Sequence, residues 1–435
     1  MDFSAGEGSG EGRFATYVEH LASALGHVDR VAPFRAYCTG LMLPGERKSV
    51  EPMAARVEPG RVGAAHQSLH HFVAKAAWDD AVVLGAVRDL VLPVLQAHGP
   101  IRAWIIDDTG MPKKGRHSVG VARQYCGQLG KQDNCQVAVS LSVASDHASL
   151  PVAFQLYLPE AWANDPTLRA KAGVPDTVSF QTKPAIALDQ ARAAVAAGLP
   201  PGVVLMDAGY GNDTALRDGI SALGLTYVAG VQSNITVWPP GVVPLPPKPW
   251  SGKGRPPKLL RRAPGHEPTS AKALATSLAP EAWRTVTWRE GTNAPLTSRF
   301  AAVRVRPAHR DNERAELRPA EWLLIEWPED EQEPTKYWLS TLPEATALPD
   351  LVDTAKLRWR IERDYLELKQ ELGLDHYEGR GWRGFHHHAT LCIAAYGFLL
   401  RERAAIPPSA SAQTRSLKAP DLPKTYRPRG STPSA

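Results

Sequence analysis

Apolar positions recur at helical intervals through the first hundred residues. Tyr17, Leu21 and Leu25 stand four apart, and Val83, Val87, Leu90 and Leu95 repeat the pattern further on. Such spacing keeps one helical face apolar and predicts a helical domain over residues 14–100. The Gly-rich, acidic residues 1–13 ahead of it are expected to be disordered. At Ile101 the texture changes. AWIIDDTG reads as a short buried strand ending in two carboxylates and a turn, and QVAVSLSVA and LPVAFQLYLP read as two more strands. A helix over about 185–197 precedes GVVLMDAGYG, a buried strand closed by a carboxylate and a glycine-rich turn. DTALRDGISALG then predicts a helix and LTYVAGVQ a strand. Strands alternating with helices in this order predict a mixed α/β sheet with helices packed against it, over 101–232.

From Ser233 the alternation breaks down. VWPPGVVPLPPKPWSGKGRPPKLLRRAPG carries Lys248, Lys253, Arg255, Lys258, Arg261 and Arg262 with no acid, and its prolines rule out a central strand. Strand-like pieces follow, WRTVTWRE, SRFAAVRVRPAH, EWLLIEWP and KYWLSTLP, so 233–345 is expected to be a β-rich insertion domain. Residues 346–405 return to helix, one beginning near Leu351 and a second, apolar one over His387–Leu400. The tail, 406–435, is basic and rich in Pro and Ser, and is expected to be disordered.

Composition narrows the class. The chain has 435 residues, 43% apolar and 22% charged, which excludes wholesale disorder and a disulfide-dependent miniprotein. A net charge of +5 permits a polyanionic partner without specifying one. Cys38, Cys126, Cys135 and Cys392 lack the short paired spacing of a zinc site or a disulfide framework. No apolar run reaches the ~20 residues of a membrane span, and the N-terminus is acidic where a signal peptide is basic. These features lead us to expect a cytoplasmic, bacterial-type protein with no membrane association.

Candidate chemistry lies where two buried strands end in acids. Asp108 and Asp207 close the strands, and strand ends of an α/β sheet converge on one edge. Carboxylates brought together repel unless a cation offsets them, and hard oxygen ligands suit Mg²⁺. The plain alternative is that each Asp only starts a turn. In AKLRWRIERDYLELKQELG, Arg358, Glu362, Tyr365 and Lys369 fall on one side of a helix, beside an apolar stripe of Leu357, Ile361, Leu368 and Leu372. Its plain alternative is a solvated face of i,i+4 ion pairs. Histidines invite a metal reading at His66, His70 and His71, where a surface or DNA-facing helix is the favoured reading, and again at His386, His387 and His388. Consecutive helical residues diverge by ~100°, so the second run suits packing and DNA contact better than ligation.

Taken together, WIIDDTG, GVVLMDAGYGND and RWRIERDYLELK resemble the three catalytic motifs of the DDE transposases of the insertion sequence 4 superfamily. The last motif of that superfamily reads Tyr, two residues, Arg, three residues, Glu, six residues, Lys. Arg358, Glu362 and Lys369 match this spacing, while Ala355 stands at the Tyr position. HSVGVARQYCGQLGKQDNCQVAVSL, LYLPEAWANDPTLRAKAGVP, KYWLSTLP and EGRGWRGFHHHATL are similar, more narrowly, to the insertion sequence 701 family, and the resemblance runs from about residue 14 to 400.

The resemblance implies a ribonuclease H-like core interrupted by the β-rich insertion and preceded by a helical DNA-binding domain. It implies Asp108, Asp207 and Glu362 as catalytic metal ligands, with Asp107 a neighbour of undefined role. Two Mg²⁺ ions are implied, with Mn²⁺ able to substitute. Arg358, Lys369 and Tyr365 are implied near DNA, and Lys113, Lys114, Arg116 and Arg123 follow the first catalytic strand and are expected to meet phosphates. Trp238 and Trp250 are candidates for holding a flipped base. The implied activity is cut-and-paste transposition: terminal inverted repeats are bound, the ends cleaved, and the 3′-OH groups joined to double-stranded target DNA. A dimer on DNA, nucleoid-associated in the cytoplasm, is the expected assembly. A DDE-type endonuclease, or a domesticated DNA-binding relative without strand transfer, is the alternative.

Overall fold

The computed structural model describes residues 9–290 and 295–405. The expectations for residues 1–8 and for the tail from 406 lie outside the described residues. Five helices lead the chain: α1 (Gly10–Ala22), α2 (Val31–Met42), α3 (Val50–Val57), α4 (Val62–Ala74) and α5 (Asp80–Ala97). Ser9 caps α1 by accepting from the Gly12 N–H, so helix begins inside the stretch expected to be disordered. Asp79 caps α5 through the Ala81 and Val82 N–H groups, and the stripe Val83, Val87, Val91 and Leu95 is buried.

The strands and helices that follow are β1 (Ala103–Pro112), β2 (Ala122–Cys126), β3 (Lys131–Ala144), β4 (Ser149–Leu156), α6 (Glu160–Ala163), α7 (Pro166–Ala172), α8 (Lys183–Ala196), β5 (Val203–Met206), α9 (Ala208–Gly211), α10 (Thr214–Ala222) and β6 (Tyr227–Val231). Then come β7 (Thr236–Trp238), β8 (Thr269–Ser270), α11 (Ala271–Ser277), β9 (Arg284–Glu290), β10 (Pro295–Pro307), β11 (Glu321–Trp327), β12 (Lys336–Ser340), α12 (Leu348–Lys356), α13 (Arg360–Gln370) and α14 (Trp382–Ala405).

The sheet order is β2-β3-β1-β5-β6-β12-β11-β10-β7-β8, with β4 on β3 and β9 on β10. β1, β5 and β6 run parallel to one another, and the remaining pairs are antiparallel. The architecture is therefore mixed α/β around one large mixed sheet. The strands expected within a separate insertion do not form a sheet of their own. β12 pairs with β6, Leu339 opposite Ala229, and so covers what would otherwise be an open edge of the fully buried strand Tyr227–Val231. Beyond β7, the Pro-rich passage forms only isolated bridges, Leu245 with Arg261 and Ala263 with His266, and Arg262 ties it to Asp311.

Alternation along β1 sorts its side chains between two cores. Ala103 and Ile105 pack with Leu351, Ile361 and Tyr365 of α12 and α13. Trp104 and Ile106 face the opposite way, into the core that α5, α8 and α14 supply with Val91, Ala187 and Leu391. The same two-residue period continues into the carboxylates.

Candidate active site

The parallel register of β1 and β5 sets Ile106 opposite Met206. One step further stand Asp107, midway along β1, which runs on to Pro112 instead of closing at its two carboxylates as expected, and Asp207, just past the end of β5. Asp108 is one residue out of step. By alternation Asp107 shares the face of Ile105, toward α13, while Asp108 shares the face of Ile106, toward α8.

Side-chain bonds follow that division. Arg358 donates from Nη1 to Asp107 Oδ2 at 2.7 Å and from Nη2 to Glu362 at 3.4 Å. Tyr365 shares a 2.7 Å hydrogen bond with Ser140, the residue opposite Asp107 on β3. Asp108 instead receives Lys183 Nζ at 2.8 Å and the Tyr210 hydroxyl at 3.0 Å. Asp207 caps α9, its Oδ1 accepting from the Gly209 N–H at 2.9 Å and the Tyr210 N–H at 3.3 Å.

Electrostatically the site is short of positive charge. Burial pushes the Asp107 carboxyl up to about 7, with the charges of Asp207 and Asp108 adding to the rise and Arg358 opposing it. A carboxyl so placed gains from any added cation. Glu362, at 69% side-chain exposure, lies on the solvent side of Arg358. Asp207, Arg358, Trp359 and Glu362 line a cavity of about 300 Å³ that also reaches Trp338 and Lys336. As the side chains stand, no three His, Cys, Asp or Glu residues among those described form a group that could hold a metal ion. The acids are brought to one edge, with a guanidinium between two of them.

The remaining candidates divide between surface and interior. Lys114, Arg116 and Arg123 are exposed. Lys113 is turned inward, donating to the Tyr377 carbonyl at 2.8 Å, and burial lowers its pKa. Lys369 likewise donates to the Gly110 carbonyl at 2.8 Å and to Gln128 at 3.2 Å, tying the end of α13 to β1. Tyr365 is buried, so the helical side on which it was grouped with Glu362 is only partly open to solvent. Trp238 is 1% exposed and donates from Nε1 to Asp311 at 2.5 Å, which removes it as a platform for a flipped base. Trp250 is exposed.

His386, His387 and His388 are buried rather than facing DNA. His387 stacks on Trp78 at 3.6 Å, and His388 bonds the Tyr37 hydroxyl and the Gly373 carbonyl. His66 and His70 stack on each other on α4. Sequence reasoning named Asp107 without giving it a role and passed over Lys183 and Tyr210, which approach from elements distant in sequence and carry no local signal.

The family model for DDE superfamily endonuclease matches residues 20–295. A probable transposase for insertion sequence element IS701, from Microchaete diplosiphon, is 33% identical over 169 residues, 39% of this chain and 41% of that protein. The chain thus matches about two fifths of the length of this relative.

Proposed function

Since the chain belongs to the DDE endonuclease superfamily, we propose that it is a transposase with a ribonuclease H-like core, acting on double-stranded DNA. In this reading it binds the terminal inverted repeats of an element, hydrolyses the phosphodiester at each end and joins the freed 3′-OH to target DNA. Two ends must be handled together, so a dimer on DNA is part of the proposal. The observation that carries it is the parallel register that sets Asp107 beside Asp207 under Arg358 and Glu362.

On the strength of that register we take Asp107, in place of the expected Asp108, as the proposed first ligand. The proposed metal set is Asp107, Asp207 and Glu362. All-oxygen carboxylate donors suit Mg²⁺, with Mn²⁺ able to substitute, and the raised Asp107 pKa, due first to burial and then to the neighbouring Asp207 and Asp108 charges, favours a bound cation. Divalent cations bound by such residues lower the pKa of water and stabilise a departing oxygen anion.

The protein's own groups do the rest. Asp207 keeps Oδ2 clear of the α9 cap, since both N–H groups go to Oδ1. Glu362, exposed on α13, has room to swing toward the strand ends. Arg358, lining the cavity mouth, would hold a DNA phosphate through its guanidinium. Lys114, Arg116 and Arg123, exposed beyond β1, supply sequence-independent phosphate contacts.

The test is incubation of the full chain with labelled candidate end DNA, Mg²⁺ and a target plasmid, scoring nicks and joined products. Asp207→Asn is expected to abolish cleavage while end binding persists in a mobility shift. Full cleavage by that variant would sink the proposal. Nicks without joined products would assign the chain to cutting alone.

A further inference from the structure

Asp108 is adjacent to a proposed ligand, yet its side chain leaves β1 on the other face of the sheet. There its Oδ2 receives two donors, Lys183 Nζ from the start of α8 at 2.8 Å and the Tyr210 hydroxyl at 3.0 Å. Tyr210 belongs to the turn that Asp207 caps: its backbone N–H points at Asp207 Oδ1. One residue is therefore held at both ends, by the carboxylate on the proposed metal site and by the carboxylate behind it.

The turn has little freedom otherwise. A Cβ on Gly211 would stand 2.0 Å from the Gly230 carbonyl oxygen, so α9 lies directly on β6 and its backbone can seat only against glycine. This contact sets the distance of the turn from the sheet. At the far end of the turn Arg217 donates to the Gly211 carbonyl and Asn212 accepts from the Gln232 N–H, and the Tyr210 side chain is the anchor on the Asp207 side. The ring is buried, and a buried phenol needs a partner for its hydroxyl. A carboxylate acceptor makes that bond charge-assisted and directional.

Lys183 completes the arrangement. Asp108 already adds to the repulsion that raises the Asp107 pKa. An ammonium 2.8 Å from Asp108 offsets that charge where it arises and leaves the ligand side of the strand to its own cation.

We infer that Asp108, Tyr210 and Lys183 form a positioning brace that orients the Asp207 carboxylate toward the proposed cation site. The inference rests on the metal-dependent reading of the site given above. Asp108, Tyr210 and Lys183 are positioning residues and touch no reacting atom.

Mn²⁺ uptake by the full chain, followed through the loss of the free-ion signal in electron paramagnetic resonance, tests the brace without reference to turnover. Tyr210→Phe removes one oxygen from a ring that stays packed. It is expected to raise the Mn²⁺ concentration for half-occupancy by roughly tenfold, the usual effect of losing an outer-shell partner, while circular dichroism and melting temperature stay close to wild type. Asp108→Asn keeps an acceptor for the hydroxyl and is expected to bind Mn²⁺ more tightly than Asp108→Ala. Asp107→Asn is expected to lose uptake.

Wild-type uptake by Tyr210→Phe would overturn the brace and leave the metal reading intact. Loss of uptake by Asp108→Asn as complete as that of Asp107→Asn would overturn it in favour of Asp108 as a direct ligand. A wild-type chain that takes up no Mn²⁺ would overturn the metal reading and the brace together.

Discussion

Arg358, on the short turn Leu357–Trp359 between α12 and α13, and Asp107, midway along β1, form a 2.7 Å ion pair in which both side chains are largely withdrawn from solvent. The same guanidinium reaches Glu362 at 3.4 Å, so a single cation spans two of the three acids assigned to the site.

Removing that cation is expected to slow cleavage. Arg358→Ala removes the guanidinium proposed to hold a DNA phosphate beside these acids, and single-turnover nicking at saturating Mg²⁺ is expected to fall by about 10²- to 10³-fold, the range seen for lost charge-stabilising donors. Wild-type nicking rates in this variant would contradict the role given to Arg358.

Trp238 offers a test of the opposite kind. Its ring is almost fully buried and its Nε1 is bonded to Asp311, so Trp238→Ala is expected to cost about 3 to 5 kcal/mol of stability in urea unfolding. DNA affinity per folded molecule should stay at the wild-type level. Affinity loss with unchanged stability would restore it as a DNA-contacting residue.

The basic residues after β1 should separate by location. Lys114 and Arg116 are exposed, whereas Lys113 is tied to the Tyr377 carbonyl. Replacing both exposed residues with Ala is expected to weaken DNA binding evenly across sequences and to lower the slope of log affinity against log salt by roughly 2. Lys113→Ala is expected to lower melting temperature instead, without changing that slope. Equal effects of all three on the slope would place Lys113 on DNA as well.

Acid should loosen the seat of α14. Burial pulls His388 down to about 4, Lys113 and His376 adding to the shift while the Gly373 carbonyl and Asp375 oppose it. Because the folded state holds this ring neutral, its contribution is fully present above the ordinary value near 6.5 and is lost as pH falls toward 4. The loss is expected to reach about 2 to 3 kcal/mol. His388→Gln, which cannot titrate, is expected to flatten the fall in melting temperature between those limits. An identical pH profile in wild type and variant would exclude the assignment.

Two buried apolar runs ending in carboxylates, AWIIDD and VVLMD, and a helix carrying Arg358 and Glu362 four residues apart were legible in the chain before any coordinates. Local chemistry determines such features: apolar side chains must be covered, prolines cannot pair in a central strand, and period marks strand from helix. The strands after Ser233 were also legible as strands, but not their continuation of the central sheet through β6 and β12, because backbone pairing between distant segments leaves no mark at fixed spacing.

What only the tertiary structure decided is which side of each element meets the site. Asp107 and Asp108 are identical residues one position apart. Asp107 faces Arg358 and Asp108 faces Lys183, since a shift of one residue turns a side chain to the other face. Tyr365 and Lys369 lie on the helical side expected of them, yet Ser140 and the Gly110 carbonyl take their polar atoms. Sequence by itself determined the elements and their chemistry, through interactions that reach a few residues. The assembly of the site required the packing of segments some hundred residues apart, and there the sheet register and the faces it buries made the selection.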